Sequence, residues 1–130
     1  MSAALTLDLL EARLAILRLA PGEPLPAWTA RARAFLTVSR TPTELSIVAD
    51  RDAVPAALRP ARVHRALRVR GPLPLDLIGI FASIAAPLAL AGIPIFPIAT
   101  FDTDYVLIDE QDVARARAAL AAAGHRVEPA

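Results

Sequence analysis

Apolar residues recur along this chain with two periods. Between Leu77 and Ala99 no charged residue occurs, and Ile80, Ile84 and Leu88 follow one another every four positions, which is helical spacing. After Gly92, a residue suited to ending a helix, Ile93, Ile95 and the stretch 98–100 predict an extended strand. Elsewhere the period is two. From His64 to Arg70, Leu67 and Val69 fall on one face and Arg68 and Arg70 on the other, which predicts a half-buried strand.

The uncharged run has the length and hydropathy of a membrane span. Pro87, Pro94 and Pro97 interrupt it, however, and with Gly92 they rule out a comfortable continuous helix. A helix over 77–91 rises roughly 1.5 Å per residue and falls well short of the roughly 30 Å hydrocarbon core. The run therefore reads as a buried helix and a buried strand joined by "AGIP".

Sliding the chain against itself by 60 positions aligns "TELSIVADRDAV" (43–54) with "TDYVLIDEQDVA" (103–114) without a gap. Leu7 and Leu9 then meet Leu67 and Val69, and Asp52 meets Asp112. Two copies of one supersecondary unit are expected, over 1–62 and 63–130. The second copy is a strand at 64–70, a loop "GPLPLD", the helix 77–91, a strand at 94–100, a tight "FDTD" connection and a strand at 105–108. Asp109 can cap a second helix, with Val113, Ala116 and Leu120 as its apolar stripe and Gly124 as its stop; "HRVE" closes the unit as a strand. The order β-α-β-β-α-β is that of an α+β, ferredoxin-like unit, an antiparallel sheet with both helices on one face.

The first copy is degenerate. Strands are expected at 5–10, 14–19, 35–40 and 45–49, but prolines 21, 24 and 26 leave at most a short turn around Trp28–Arg33, and Pro55 or Pro60 ends the next helix. Trp28 among prolines reads as a lid over the core.

Composition narrows the chemistry. Basic residues number 14, all of them Arg, against 13 acidic ones, so net charge gives no global pull toward nucleic acid or anionic lipid. There is no cysteine, and two separated histidines offer no metal-ligand cluster, so no metal or other cofactor is expected. His125, beside Arg126, reads as a surface residue. The start "MSAALTLDLLEARL" lacks the basic opening of a secretory signal, so a cytoplasmic protein is expected. "RPARVHRALRVR" is rich in Arg, yet it lacks the aromatic platforms of an RNA-binding sheet and reads as a solvated linker and strand face. No nucleophile–base pair, GxSxG motif or phosphate-cradling glycine loop occurs. No enzymatic activity, nucleic-acid binding or membrane insertion is expected.

"PLDLIGIFASIAAPLALAGIPIFPIATFDTDYVLI" resembles an ACT domain, a small ferredoxin-like module that binds amino acids and regulates metabolism. The likeness is greatest to the tandem-ACT subfamily of small bacterial proteins and CASTOR-type arginine sensors; "FLTVSRTPTELSIV" in the first half matches that subfamily too. The resemblance implies two tandem ACT units, the first degenerate, and a ligand site between facing units. Carried over by position, Leu77, Ile78, Gly79 and Ile80 would line the approach to the helix, Ser83 and Ile84 would come from the facing unit, and Thr100, Phe101 and Asp104 would complete the pocket. The animal sensors carry four ACT units and this chain two, so the facing unit would come from a second molecule, a homodimer.

The chemistry of those residue types is coherent. A helix N-terminus near Gly79 presents unpaired N–H groups to a carboxylate. Asp104 can meet an ammonium group, and Phe101 can pack an aliphatic part. Pro87 cannot donate to the carbonyl of Ser83, which leaves that oxygen for another partner. Plainer roles stand beside these: Asp102, Thr103 and Asp104 are good turn residues, Ser83 can bond back into its helix, and Gly79 can mark close packing. The sequence thus points to a regulatory binder of a small molecule, an amino acid first; the alternative is an interaction module that binds no ligand.

Overall fold

The structure, a computed structural model, describes residues 4–74 and 78–130. Its elements in chain order are β1 (Thr6–Leu9), β2 (Leu14–Leu19), β3 (Leu36–Arg40), β4 (Leu45–Asp50), β5 (His64–Val69), α1 (Ile80–Leu90), β6 (Phe96–Ala99), β7 (Asp104–Asp109), α2 (Val113–Ala122) and β8 (Arg126–Pro129), with short 3₁₀ turns between some of them. They form two compact units, one of Ala12–His64 and one of Arg65–Ala130 together with the residues up to Glu11.

The larger unit is a sheet in the order β6-β7-β5-β1-β8. Leu7 and Leu9 of β1, Leu67 and Val69 of β5, and Val106 and Ile108 of β7 point to one face. There they bury Ile84 and Leu88 of α1 and Ala116 and Leu120 of α2, so each apolar stripe read from the sequence meets the apolar face of the sheet. The expected mixed α+β fold with both helices on one face is what forms.

One strand goes elsewhere than the repeat suggested. The sequence grouped the strand at 5–10 with the first unit, but β1 lies between β5 and β8. It pairs antiparallel with β5, setting Leu7 opposite Val69 and Leu9 opposite Leu67. It pairs parallel with β8. The matching alternation of Leu7/Leu9 and Leu67/Val69 therefore reflects two neighbouring strands of one sheet turning the same kind of face to one core.

Helix boundaries follow local chemistry. Gly79 takes φ +85°, and a Cβ built there meets nothing within 4 Å, so the left-handed backbone rather than tight packing calls for glycine. Ahead of α2, Asp109 accepts from the Gln111 N–H at 2.9 Å and starts the 3₁₀ turn that leads into that helix. His125 is 4 % exposed, not on the surface. Its Nδ1 accepts from the Leu5 N–H at 3.1 Å, so Nε2 carries the proton and donates to the Ser83 carbonyl 3.0 Å away. The acceptor that Pro87 leaves without its helical partner is thus satisfied by the one buried imidazole able to serve both groups.

The smaller unit is an antiparallel sheet in the order β2-β4-β3. The 3₁₀ turn Ala27–Arg31 stands where the prolines left room for only a turn. Trp28 packs on Ala15, Leu17 and Val54, and on Leu45, Ile47 and Ala49, as a lid over this core. Asp50 fixes the approach to β3 by accepting from the N–H groups of Ala34 at 2.9 Å and Phe35 at 2.8 Å. No helix among the described residues is long and apolar enough to cross a membrane.

Candidate functional site

The turn between β6 and β7 separates two clefts of the larger unit. The turn is rigid. The Thr100 N–H and Oγ1 both donate to the Thr103 carbonyl at 2.9 Å, and Thr103 Oγ1 donates to the Val69 carbonyl at 2.7 Å. The loop after β5 is tied to it by the Leu73 N–H, which donates to the Asp102 carbonyl at 2.7 Å. Gly71 permits that approach: a Cβ there would lie 3.0 Å from the Leu73 nitrogen and 3.4 Å from the Asp102 carbonyl oxygen.

The first cleft, about 70 Å³, is lined by Leu73, Pro74, Ile80 and the turn residues Thr100–Asp104. It joins the beginning of α1 to the turn. Among the described residues no side chain caps α1, and its first N–H groups carry the partial positive charge of a helix start toward this end. Asp104 is half-buried, and its carboxylate makes no hydrogen bond or ion pair with a described residue. Phe101 is 79 % exposed. The arrangement offers donors for an anionic group, a carboxylate for a cationic one and an apolar surface, on one open wall.

Of the residues implied by the resemblance, Ile80, Thr100, Phe101 and Asp104 come together at this cleft. Gly79 adjoins it as the cap of α1. Ile78 is 94 % exposed and does not line it. Ser83 spends its hydroxyl on the Ile80 carbonyl at 2.8 Å, the plainer of its two roles. Ile84 is wholly buried in the core of its own unit and turns no surface to a ligand, a correction to its expected place. Leu77 lies outside the described residues. Leu73 and Pro74 were missed, because a loop "GPLPLD" carries no pattern that says what it will fold against.

The second cleft, about 370 Å³, lies on the sheet face away from the helices and is lined by Asp8, Arg68, Arg70, Gly71, Pro72, Asp102, Thr103 and Tyr105. Register builds it: Asp8 stands directly opposite Arg68 on β5 and beside Glu128 on β8. Asp8 is buried and accepts from Arg68 at 3.2 Å and from Arg70. Arg70 also holds Glu128 at 2.9 Å, and Glu128 in turn holds Arg126 at 2.7 Å. The Arg70 hydrogen bond outweighs burial and keeps the Asp8 carboxyl below the usual carboxylate range. Strand alternation put Arg68 and Arg70 on one face, but their buried acidic partner sits 60 residues upstream, where no local pattern reveals it.

The larger unit is thus a ferredoxin-like sheet with two helices on one face and a cleft between a glycine-capped helix and a β-turn. Residues 62–122 match the family model of the ACT domain, and a model of an N-terminal domain matches residues 13–57. No curated protein matches the chain. Among solved structures, protein Atu0741 from Agobacterium tumefaciens is similar with 33 % identity and a TM-score of 0.88, over 99 % of this chain and 96 % of that one. The chain belongs to the same family as that protein, and its C-terminal part is an ACT domain. Two aspartokinase structures share the fold. The alpha and beta subunits of one are 20 % identical at a TM-score of 0.62, over 93 % of this chain and 98 % of that one. Clostridium acetobutylicum aspartate kinase, an allosteric enzyme, is 11 % identical at a TM-score of 0.59, over 90 % of this chain and 33 % of its own. ACT domains are in general regulatory modules that bind small molecules, amino acids among them.

Proposed function

We propose that this protein is a non-catalytic, cytoplasmic regulatory sensor that holds an amino acid at the first cleft, between two copies of the chain, as a two-unit relative of the CASTOR-type sensors. The observation that carries the reading is the meeting of the start of α1, which no described side chain caps, with Asp104, whose carboxylate has no partner among the described residues, and the exposed Phe101 in an ACT domain. Its half-built size supports the second copy. At about 70 Å³ the cleft is far smaller than the roughly 300–1,000 Å³ of enclosing ligand pockets, so a facing surface must complete it. The α-carboxylate would lie at the helix start, the ammonium group or a cationic side chain at Asp104, and the aliphatic part on Phe101. Such a ligand regulates through its difference in affinity between two states of the protein.

Thermal unfolding in the presence of each proteinogenic amino acid tests this. A ligand at a hundredfold excess over its Kd adds about 2.7 kcal/mol and raises Tm. The gain should fall sharply in Asp104→Asn. A complete set of amino acids without a Tm increase overturns the proposal. The exposed, uncharged surface of Ile78, Phe81, Leu90 and Phe101 favours one other reading, a module whose faces only pair subunits. A stable dimer indifferent to every amino acid is its signature.

A further inference from the structure

We infer that the second cleft, on the sheet face away from the helices, is a separate site for the carboxylate of a small organic acid, with Arg68 as its principal contact. The ladder Arg126–Glu128–Arg70–Asp8–Arg68 alternates in sign and holds three guanidinium groups against two carboxylates. Its interior members each serve two neighbours. Arg68, at the end that lines the cleft, serves only Asp8, through Nη2, and makes no other side-chain hydrogen bond with a described residue. The unspent positive charge and donors of the ladder are therefore delivered to the cleft by a half-buried guanidinium whose position a buried carboxylate fixes.

This is how an anion site is built rather than how a solvated charge behaves. A guanidinium fork matches a carboxylate with paired N–H donors. Arg68 is held by Asp8 in advance, so little freedom remains to be lost on binding. The volume of about 370 Å³ admits a small metabolite. The opposite wall sets the charge of the guest. Asp102 also lines the cleft, and its carboxylate has no side-chain partner among the described residues. With Arg68 and Arg70 against Asp8 and Asp102, the lining is neutral as a whole. A guest with one carboxylate and a neutral or cationic remainder fits it, whereas a phosphate or a dicarboxylate brings a second negative charge toward Asp102.

The two clefts share Asp102 and Thr103, but Arg68 and Tyr105 line only the second, so substitution at Arg68 separates this site from the amino-acid reading of the first. The test is an amide NMR titration of the full chain with butyrate, succinate and inorganic phosphate, each against sodium chloride at matched ionic strength. Butyrate should give saturable shifts centred on residues 68–72 and 102–105, with succinate and phosphate weaker. Arg68→Met should weaken butyrate binding by about tenfold or more, and Arg68→Lys, which keeps the charge without the fork, by less. Retained spectral dispersion establishes that each variant is folded; should Arg68→Met not fold, Arg68→Lys alone decides through its loss of affinity. Non-saturating shifts, shifts equalled by chloride, tighter binding of phosphate than of butyrate, or butyrate binding unchanged in the folded Arg68 variants overturn the assignment.

Discussion

Asp8 shows how one residue acquires a role from its neighbours. Its carboxylate is nearly excluded from water, which by itself would favour the neutral acid; the hydrogen bonds from Arg70 and Arg68 reverse that and hold its pKa low. A depressed folded-state pKa means that the ionised carboxylate contributes stability fully above the unfolded value of about 3.9, and that this is lost as pH falls through the lower folded value. Asp8→Asn should therefore cost about 1.5–3 kcal/mol at pH 7, the range of hydrogen bonds to charged groups. The gap from the unsubstituted protein should stay constant down to about pH 4 and close only in stronger acid. Urea unfolding across that pH range checks both the size and the shape of the effect. A sequence reading could see Asp8 as a polar residue on a strand, but not that it would be buried. His125 is a parallel case: next to Arg126 it looked like a surface group, yet the Leu5 N–H and a carbonyl freed by Pro87 both bond to it.

Among the elements, α1 was the most legible. Its four-residue apolar spacing, its stop near Gly92 and the vacant Ser83 carbonyl all follow from local rules that hold in any fold. Its beginning shows why glycine stands there: Gly79 does not mark close packing but takes a left-handed φ of +85° with open space around it. The consequence is an energetic one. Gly79→Ala should lower stability by roughly 1–2 kcal/mol, the cost of the left-handed conformation for an L-residue, without a steric clash. A Tm drop of that order, with an otherwise native circular dichroism spectrum, is the expected result. The strands were legible as elements because alternation is local; the partners of β1 were not, because pairing is decided by whichever strands share a core.

At the scale of the molecule, assembly is the question the exposed surface raises. Helix α1 carries no charged residue, and its outward side includes Phe81, Ala82, Ala86 and Ala89, with Leu90 at its end 90 % exposed. Small residues three and four apart allow a second helix to approach closely, and a two-fold axis would bring the same face of another copy against it. Ala86→Glu keeps helix propensity while placing a charge on that face. Sedimentation should show the unsubstituted chain as a dimer and Ala86→Glu as a folded monomer. A dimer that persists in the variant places the interface on another surface. Loss of the dimer should also abolish amino-acid binding at the first cleft, since one copy supplies only one wall.

Periodicity, proline placement and turn chemistry are properties of neighbouring residues, and they were enough to determine most of the helices and strands and the ferredoxin-like layering. The gathering of Ile80, Thr100, Phe101 and Asp104 was implied only by the resemblance to ACT domains. Tertiary structure alone decided that β1 joins the larger unit, that Ile84 is withdrawn into its core, and that Asp8 and Arg68 meet across the sheet. Those outcomes depend on contacts between residues far apart in the chain. Local pattern restricts which face a side chain takes, while the fold selects the partner it finds there.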